Sequence, residues 1–246
     1  MSHDEIPYVE EDQDFAYILN RSFWRRWLYR MICMAMTPMG ILISRIWFRI
    51  RVVNKDVLWS YSNRGCFLIS NHVFYLDPLI ILYTLYPAKP VFSVLEKTMR
   101  VKYLGAFLRL MGCFTISKKN AMSELTSAIN ALLQQWRFVH FFPEGNLRRG
   151  SQQMLRFRKG VFRLAYQSNK PVIPMTLVLR KRTLGKYQLS FLPQRIDVII
   201  GSPIDPSNYK QSDACDFDKH QKRKIVNAMC QDASDQMQKV LEGDIT

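Results

Sequence analysis

The sequence predicts an α/β fold, a mainly parallel mixed sheet flanked by helices, preceded by an N-terminal helical hairpin suited to a membrane interface. Three observations predict it. Short apolar runs alternate with helix-like stretches from residue 65 onward; two long segments carry apolar stripes of helical period; and the region before them mixes cations with aromatic residues.

The runs read as strands are 65–70, 90–95, 112–117, 138–142, 172–179, 188–192 and 196–200. Runs apolar throughout, such as Cys66-Phe67-Leu68-Ile69, suit strands covered on both faces. Between them, Leu125, Ala128, Ile129, Leu132, Leu133 and Trp136 recur at steps of three and four, which predicts a helix over 121–136 that packs on the sheet. Ile225, Ala228, Met229, Ala233, Met237, Val240 and Leu241 predict a last helix over 221–241, with Gly243 just past its end. No repeat and no Pro/Gly/Ser-rich linker divides this part, so residues 56–246 read as one domain.

The chain of 246 residues has a formal charge of +15, which calls for an anionic partner, either nucleic acid or an anionic membrane surface. The arrangement of charge favours the membrane. Residues 1–20 read as a disordered acidic tail, since the first fourteen carry only acids: Asp4, Glu5, Glu10, Glu11, Asp12 and Asp14. In residues 21–55 every charge is positive, and Trp24, Trp27, Tyr29 and Trp47 lie among the cations, as at the headgroup level of a bilayer. The uncharged run 31–44 falls short of the roughly 20 residues that span a bilayer and is interrupted by Pro38 and Gly40. It reads as dipping into one leaflet; the competing reading is a hairpin buried beneath the core. No cleavable signal peptide is expected, because the apolar run starts late and lacks a small-residue cleavage site. Five scattered cysteines without a C-x-x-C pair suggest neither a zinc site nor a disulfide framework and fit a reducing compartment.

Two positions along the chain carry chemistry. The run ending in Ser70-Asn71-His72 delivers a polar pair to the carboxyl end of a strand, where open α/β sheets place their sites. Asp77-Pro78 follows as a helix start, with Asp at the cap and Pro at the first position. A loop and a cap can then bring Asp77 to His72, although five residues on one helix would place them on different faces. A carboxylate on one ring nitrogen sets the tautomer and leaves the other to accept a proton from a hydroxyl. The alternative is that Asp77 merely caps a helix and His72 is satisfied by backbone. Further on, Phe138-Val139-His140-Phe141-Phe142 runs into Pro143-Glu144-Gly145, followed by Arg148, Arg149, Arg156, Arg158 and Lys159. Such a group can hold a phosphate through charge-assisted bonds, though a basic run is more often a solvated face.

Asn71-His72 with Asp77 resembles the N-H-x-x-x-x-D motif, and Phe142-Pro143-Glu144-Gly145 the F-P-E-G motif, of the 1-acyl-glycerol-3-phosphate acyltransferase family. The resemblance extends over about 49–206, with Val172-Ile173-Pro174 similar to the later V-I-P block and Gly105 to Lys118 similar to the middle block. It implies a glycerolipid-acyltransferase-like fold, His72 as general base, Asp77 as its orienting carboxylate, and substrate contacts from Asn71, Glu144, Gly145, Arg148, Arg149 and Lys118. It also implies direct attack on an acyl thioester, acyl-CoA or acyl carrier protein, without metal or other cofactor. No G-x-S-x-G elbow and no cysteine beside His72 offers an acyl-enzyme. Two departures stand out: Asn146-Leu147-Arg148 replaces the usual Thr-Arg-Ser, and Ser117-Lys118 the usual Asp-Arg.

The expected activity is acylation of 1-acyl-glycerol-3-phosphate to phosphatidic acid by a monotopic protein on the cytoplasmic face of a membrane. The altered sequence after Gly145 keeps another lysophospholipid or lyso-aminolipid acceptor, or a phospholipid donor, as alternatives. A non-enzymatic protein binding anionic lipid or nucleic acid is the remote one, because the aromatics fall in strand-like runs or the N-terminal segment rather than on an exposed sheet face.

Overall fold

A computed structural model of the chain describes residues 18, 22–24, 27–28, 31–32, 42, 45, 48–116, 122–147, 152–180, 183–184, 187–188, 195–210 and 218–243. The main sheet is made of β1 (Arg51–Val53), β2 (Cys66–Ser70), β3 (Val91–Val94), β4 (Cys113–Thr115), β5 (Phe138–Phe141), β6 (Val172–Arg180) and β9 (Arg195–Ile200). Their order is β1-β9-β6-β2-β5-β3-β4. From β6 to β4 all neighbours are parallel; β9 runs antiparallel to β6 and β1 follows β9. A small separate ribbon joins β7 (Thr183–Leu184) to β8 (Tyr187–Gln188).

The connecting helices are α1 (Asp56–Ser62), α2 (Asp77–Leu85), α3 (Glu96–Met99), α4 (Leu104–Leu110), α5 (Met122–Trp136), α6 (Gly160–Ser168) and α7 (Lys219–Glu242), with a 3₁₀ turn at Pro206–Tyr209. The two stripes found in the sequence are α5 and α7. The two-residue period of the strands sorts the core into two layers. Phe67, Ile69, Val139 and Phe141 face α5, α6 and α7, whereas Leu68, Phe138, Ile173, Met175 and Leu177 face Leu58 of α1 and Ile80, Ile81 and Leu85 of α2. Every residue of β2 and β5 is buried, as strands covered on both faces require.

Several expectations are corrected. The sheet includes β1, which lies within the segment assigned to the interface; its Val52 pairs with Val198 and gains a covered edge. Ile18, within the expected disordered tail, is buried in the α5–α7 layer. Gln188 closes the small ribbon instead of opening a strand of the main sheet, and 189–192 lie outside the described residues. Asp77 is the first residue of α2, not its cap: Leu76 holds the cap position and no side chain bonds the helix end. Among the described residues no helix is long and apolar enough to cross a membrane.

Because β2, β5, β3 and β4 are parallel, their carboxyl ends share one edge. Residues following Ser70, Val94, Thr115 and Phe141 therefore converge there, although they are scattered over some seventy positions.

Candidate active site

His72 lies two residues beyond β2 on that edge. Its Nδ1 is 2.8 Å from Asp77 Oδ2, and the same oxygen accepts the backbone N–H groups of Val73 at 2.7 Å and Phe74 at 3.0 Å. Asp77 thus turns back from the first turn of α2 to gather the loop that follows His72. Its side chain is fully buried, while that of His72 is 21% exposed. Asp77 Oδ1 is buried with no hydrogen-bond partner among the described residues, so the function of the carboxylate is concentrated on one oxygen. With Nδ1 committed to Asp77, Nε2 is the nitrogen available to a reacting hydroxyl.

Phe142, the first residue of the second motif, directly follows β5 and stacks on the imidazole with centroids 4.1 Å apart and 23° between planes. The π face of a phenyl ring favours a cation, so it stabilises His72 when the imidazole takes up a proton. Behind it stands His140, whose ring is 4.6 Å from Phe142, edge to face, and whose Nε2 is 3.0 Å from Ser70 Oγ. Ser70 and His140 meet because neighbouring strands place both on the layer facing α1 and α2. Burial first, and the charge of His72 second, push His140 down from 6.5 to about 3. It is therefore neutral at physiological pH and adds no positive charge beside the imidazolium of His72. Sequence reasoning treated His140 only as part of a strand; its placement depends on the pairing of β2 with β5.

Asn71 was expected at the substrate. Its Nδ2 donates to the Leu177 carbonyl at 3.0 Å and its Oδ1 accepts the Leu177 N–H at 2.8 Å. Both ends of the amide are used to extend the β2–β6 pairing, each with one of its two hydrogen-bonding positions. Asn71 is a strap that sets where the chain leaves the sheet before His72.

Glu144 is likewise buried, and its carboxylate accepts the Leu155 N–H at 3.3 Å, tying the segment after the turn to the turn itself. Gly145 has φ +67, and a β-carbon there would come within 2.6 Å of Arg158 Cζ and Nε. The positive φ favours glycine, and the missing β-carbon lets the Arg158 side chain lie close. The Arg158 N–H also donates to the Pro143 carbonyl at 2.8 Å. Arg158, an exposed cation, thus lies against the turn that carries Glu144 and Gly145. Arg148, Arg149 and Lys118 lie outside the described residues. A cavity of about 360 Å³ lined by Ile50, Val52, Lys55, Tyr83 and Tyr86 lies toward the other end of α2 and contains none of these groups.

Residues 49–178 match the family model described as Acyltransferase. A Mycoplasma pneumoniae protein named "Probable 1-acyl-sn-glycerol-3-phosphate acyltransferase" is 24% identical over 220 residues, 85% of this chain and 79% of its own. A Limnanthes alba protein named 1-acyl-sn-glycerol-3-phosphate acyltransferase is 25% identical over 182 residues, 68% of this chain and 64% of its own. Among solved structures, the 1-acyl-sn-glycerophosphate acyltransferase from Thermotoga maritima superposes with a TM-score of 0.55 at 15% identity, covering 91% of this chain and 87% of that one, which shows a shared fold.

Two outcomes follow from the geometry. Asp77→Asn presents an amide that cannot hold the same tautomer, and should lower the turnover of any reaction using His72 as base by on the order of a thousandfold, read in steady-state kinetics. His140 is neutral when folded down to about pH 3 but takes a proton near 6.5 once unfolded. Its contribution to stability is thus complete above 6.5 and is lost as the pH falls toward 3, by at most about 1.4 kcal/mol per pH unit. Denaturant titrations between neutral and mildly acid pH should show a flatter decline for His140→Gln than for the parent.

Proposed function

Because this chain belongs to the acyltransferase family, we propose that it transfers a fatty acyl group from an acyl thioester, acyl-CoA or acyl carrier protein, to the free hydroxyl of 1-acyl-glycerol-3-phosphate, forming phosphatidic acid. The observation that carries this reading is the 2.8 Å bond between His72 and a buried carboxylate at the sheet edge that also receives the second motif. The printed names of the two relatives support the choice of acceptor.

The chemistry is direct transfer. Nε2 of His72 takes the hydroxyl proton as the oxygen attacks the thioester carbonyl; Asp77 and the face of Phe142 stabilise the imidazolium. Collapse of the tetrahedral intermediate breaks the carbon–sulfur bond, and the departing thiolate takes the proton back from His72. The acceptor's phosphate is held by the cations that follow the F-P-E-G turn. Arg158 is the described candidate among them, with Arg148 and Arg149 beside it in sequence and Lys118, from the middle block, as a further one. Arg158 lies against Gly145 and presents a fork suited to phosphate.

The protein acts at a membrane as a monotopic enzyme, and we place it on the cytoplasmic face. Phe23, Trp24, Trp27, Leu28 and Leu42 are exposed in a stretch whose charges are all positive, which supports an interfacial segment over a buried hairpin.

Purified protein given lysophosphatidate and acyl-CoA, or acyl carrier protein loaded with the same chain, should release free thiol, and His72→Ala should reduce the rate to background. Activity surviving that change would remove the proposed base. Competition by a lysophospholipid lacking a terminal phosphomonoester tests the acceptor: if it displaces lysophosphatidate, the acceptor assignment fails while the acyl transfer stands. Arg158→Ala should raise KM for lysophosphatidate by roughly tenfold or more, as expected on losing a charge-assisted pair, with a smaller effect on kcat.

A further inference from the structure

The chain leaves the carboxyl end of β3 at Val94 and forms the α3–α4 hairpin before it re-enters the sheet at Cys113. The hairpin is tightly built. Gly105 is buried against the carbonyl of Met99, where any β-carbon would collide, and Met99 is itself buried. At its tip Tyr103 takes φ 63, a left-handed conformation uncommon for a residue with a side chain, and is 79% exposed.

Several apolar side chains of this hairpin are exposed. Leu95, Val101, Leu104 and Phe107 are exposed beside Tyr103, and Ile116 is exposed just beyond β4 on the same edge of the sheet. Lys97, Arg100, Lys102 and Arg109 stand among them, against one carboxylate, Glu96, that Arg100 engages. Lys102 Nζ lies 5.5 Å from the centre of the Tyr103 ring.

We propose that the α3–α4 hairpin is a second membrane-docking element, separate from the N-terminal segment, which inserts its apolar tip among the headgroups of an anionic bilayer. This rests on the acyltransferase reading of the site. Exposed apolar and aromatic tips surrounded by long cationic side chains match the boundary between headgroups and acyl chains. The excess of cations is complementary to an anionic leaflet and opposes pairing with a second copy, which would bring the same charges face to face. The hairpin rises from the edge that carries His72, so docking it would turn the catalytic edge toward the lipid pool.

The test uses the full chain with vesicles of equal parts phosphatidylcholine and phosphatidylglycerol, compared with phosphatidylcholine alone. In flotation, the triple variant V101S/L104S/F107S should partition onto the anionic vesicles about tenfold more weakly or worse, while thiol release from detergent-dispersed lysophosphatidate stays at the parent rate. In the parent, anionic vesicles should slow amide hydrogen exchange across 100–108; this measurement decides the matter if the triple variant fails to fold. K97E/K102E should reduce the preference for anionic over neutral vesicles severalfold, leaving the part contributed by the N-terminal cations; an unchanged preference would count against the hairpin. Unchanged partitioning of a folded triple variant, or no slowing of exchange in the parent, would overturn the proposal and leave docking to the N-terminal segment. Exchange slowed instead by raising protein concentration without vesicles would overturn it in favour of a second copy. Absence of thiol release by the parent in detergent would count against the acyltransferase reading alone, because flotation and exchange need no turnover.

Discussion

A single carboxylate oxygen organises the centre of this protein. Asp77 Oδ2 receives the imidazole of His72 and two consecutive backbone amides, all within 3.0 Å, and it does so with its side chain removed from water. A buried carboxylate is tolerable only when it is hydrogen-bonded in this way. The same bonds that compensate its burial fold the loop after β2 back onto α2. The loop's shape and the ring's orientation are thus one structural event, and neither persists without the other.

Around that contact, the sheet supplies what the loop cannot. Asn71 completes the pairing with Leu177 and sets the point where the chain departs from the sheet. Phe142 arrives from the next strand to cover one face of the imidazole, and His140, neutral through burial, supports Phe142 from within. The second motif works in the same indirect manner. Glu144 ties the segment after the turn to the turn through the Leu155 N–H, and Gly145 lets the Arg158 side chain lie close to the turn backbone.

The charge of the chain is also organised by the fold. The N-terminal segment and the α3–α4 hairpin are separated by the first strands of the sheet, yet both present aromatic or aliphatic residues among cations. In the hairpin this face survives because the backbone contact of Gly105 with Met99 closes the structure without using the outer side chains. Apolar residues that would ordinarily be buried are left outside by construction.

How much of this was legible depends on the range of the interaction concerned. The long stripes of α5 and α7, the apolar runs of β2, β5 and β6, and the pairing of His72 with Asp77 are encoded within a few turns or strands, and the sequence by itself determined them, together with the family. The short helices α3 and α4 escaped notice because seven residues or fewer do not establish a period. The use of Asn71 as a strap, the stacking of Phe142 on His72, and the contact of Ser70 with His140 were decided only by tertiary structure. They arise where β2 lies between β5 and β6, which joins residues 70 to 106 positions apart, and no local pattern specifies which strands become neighbours.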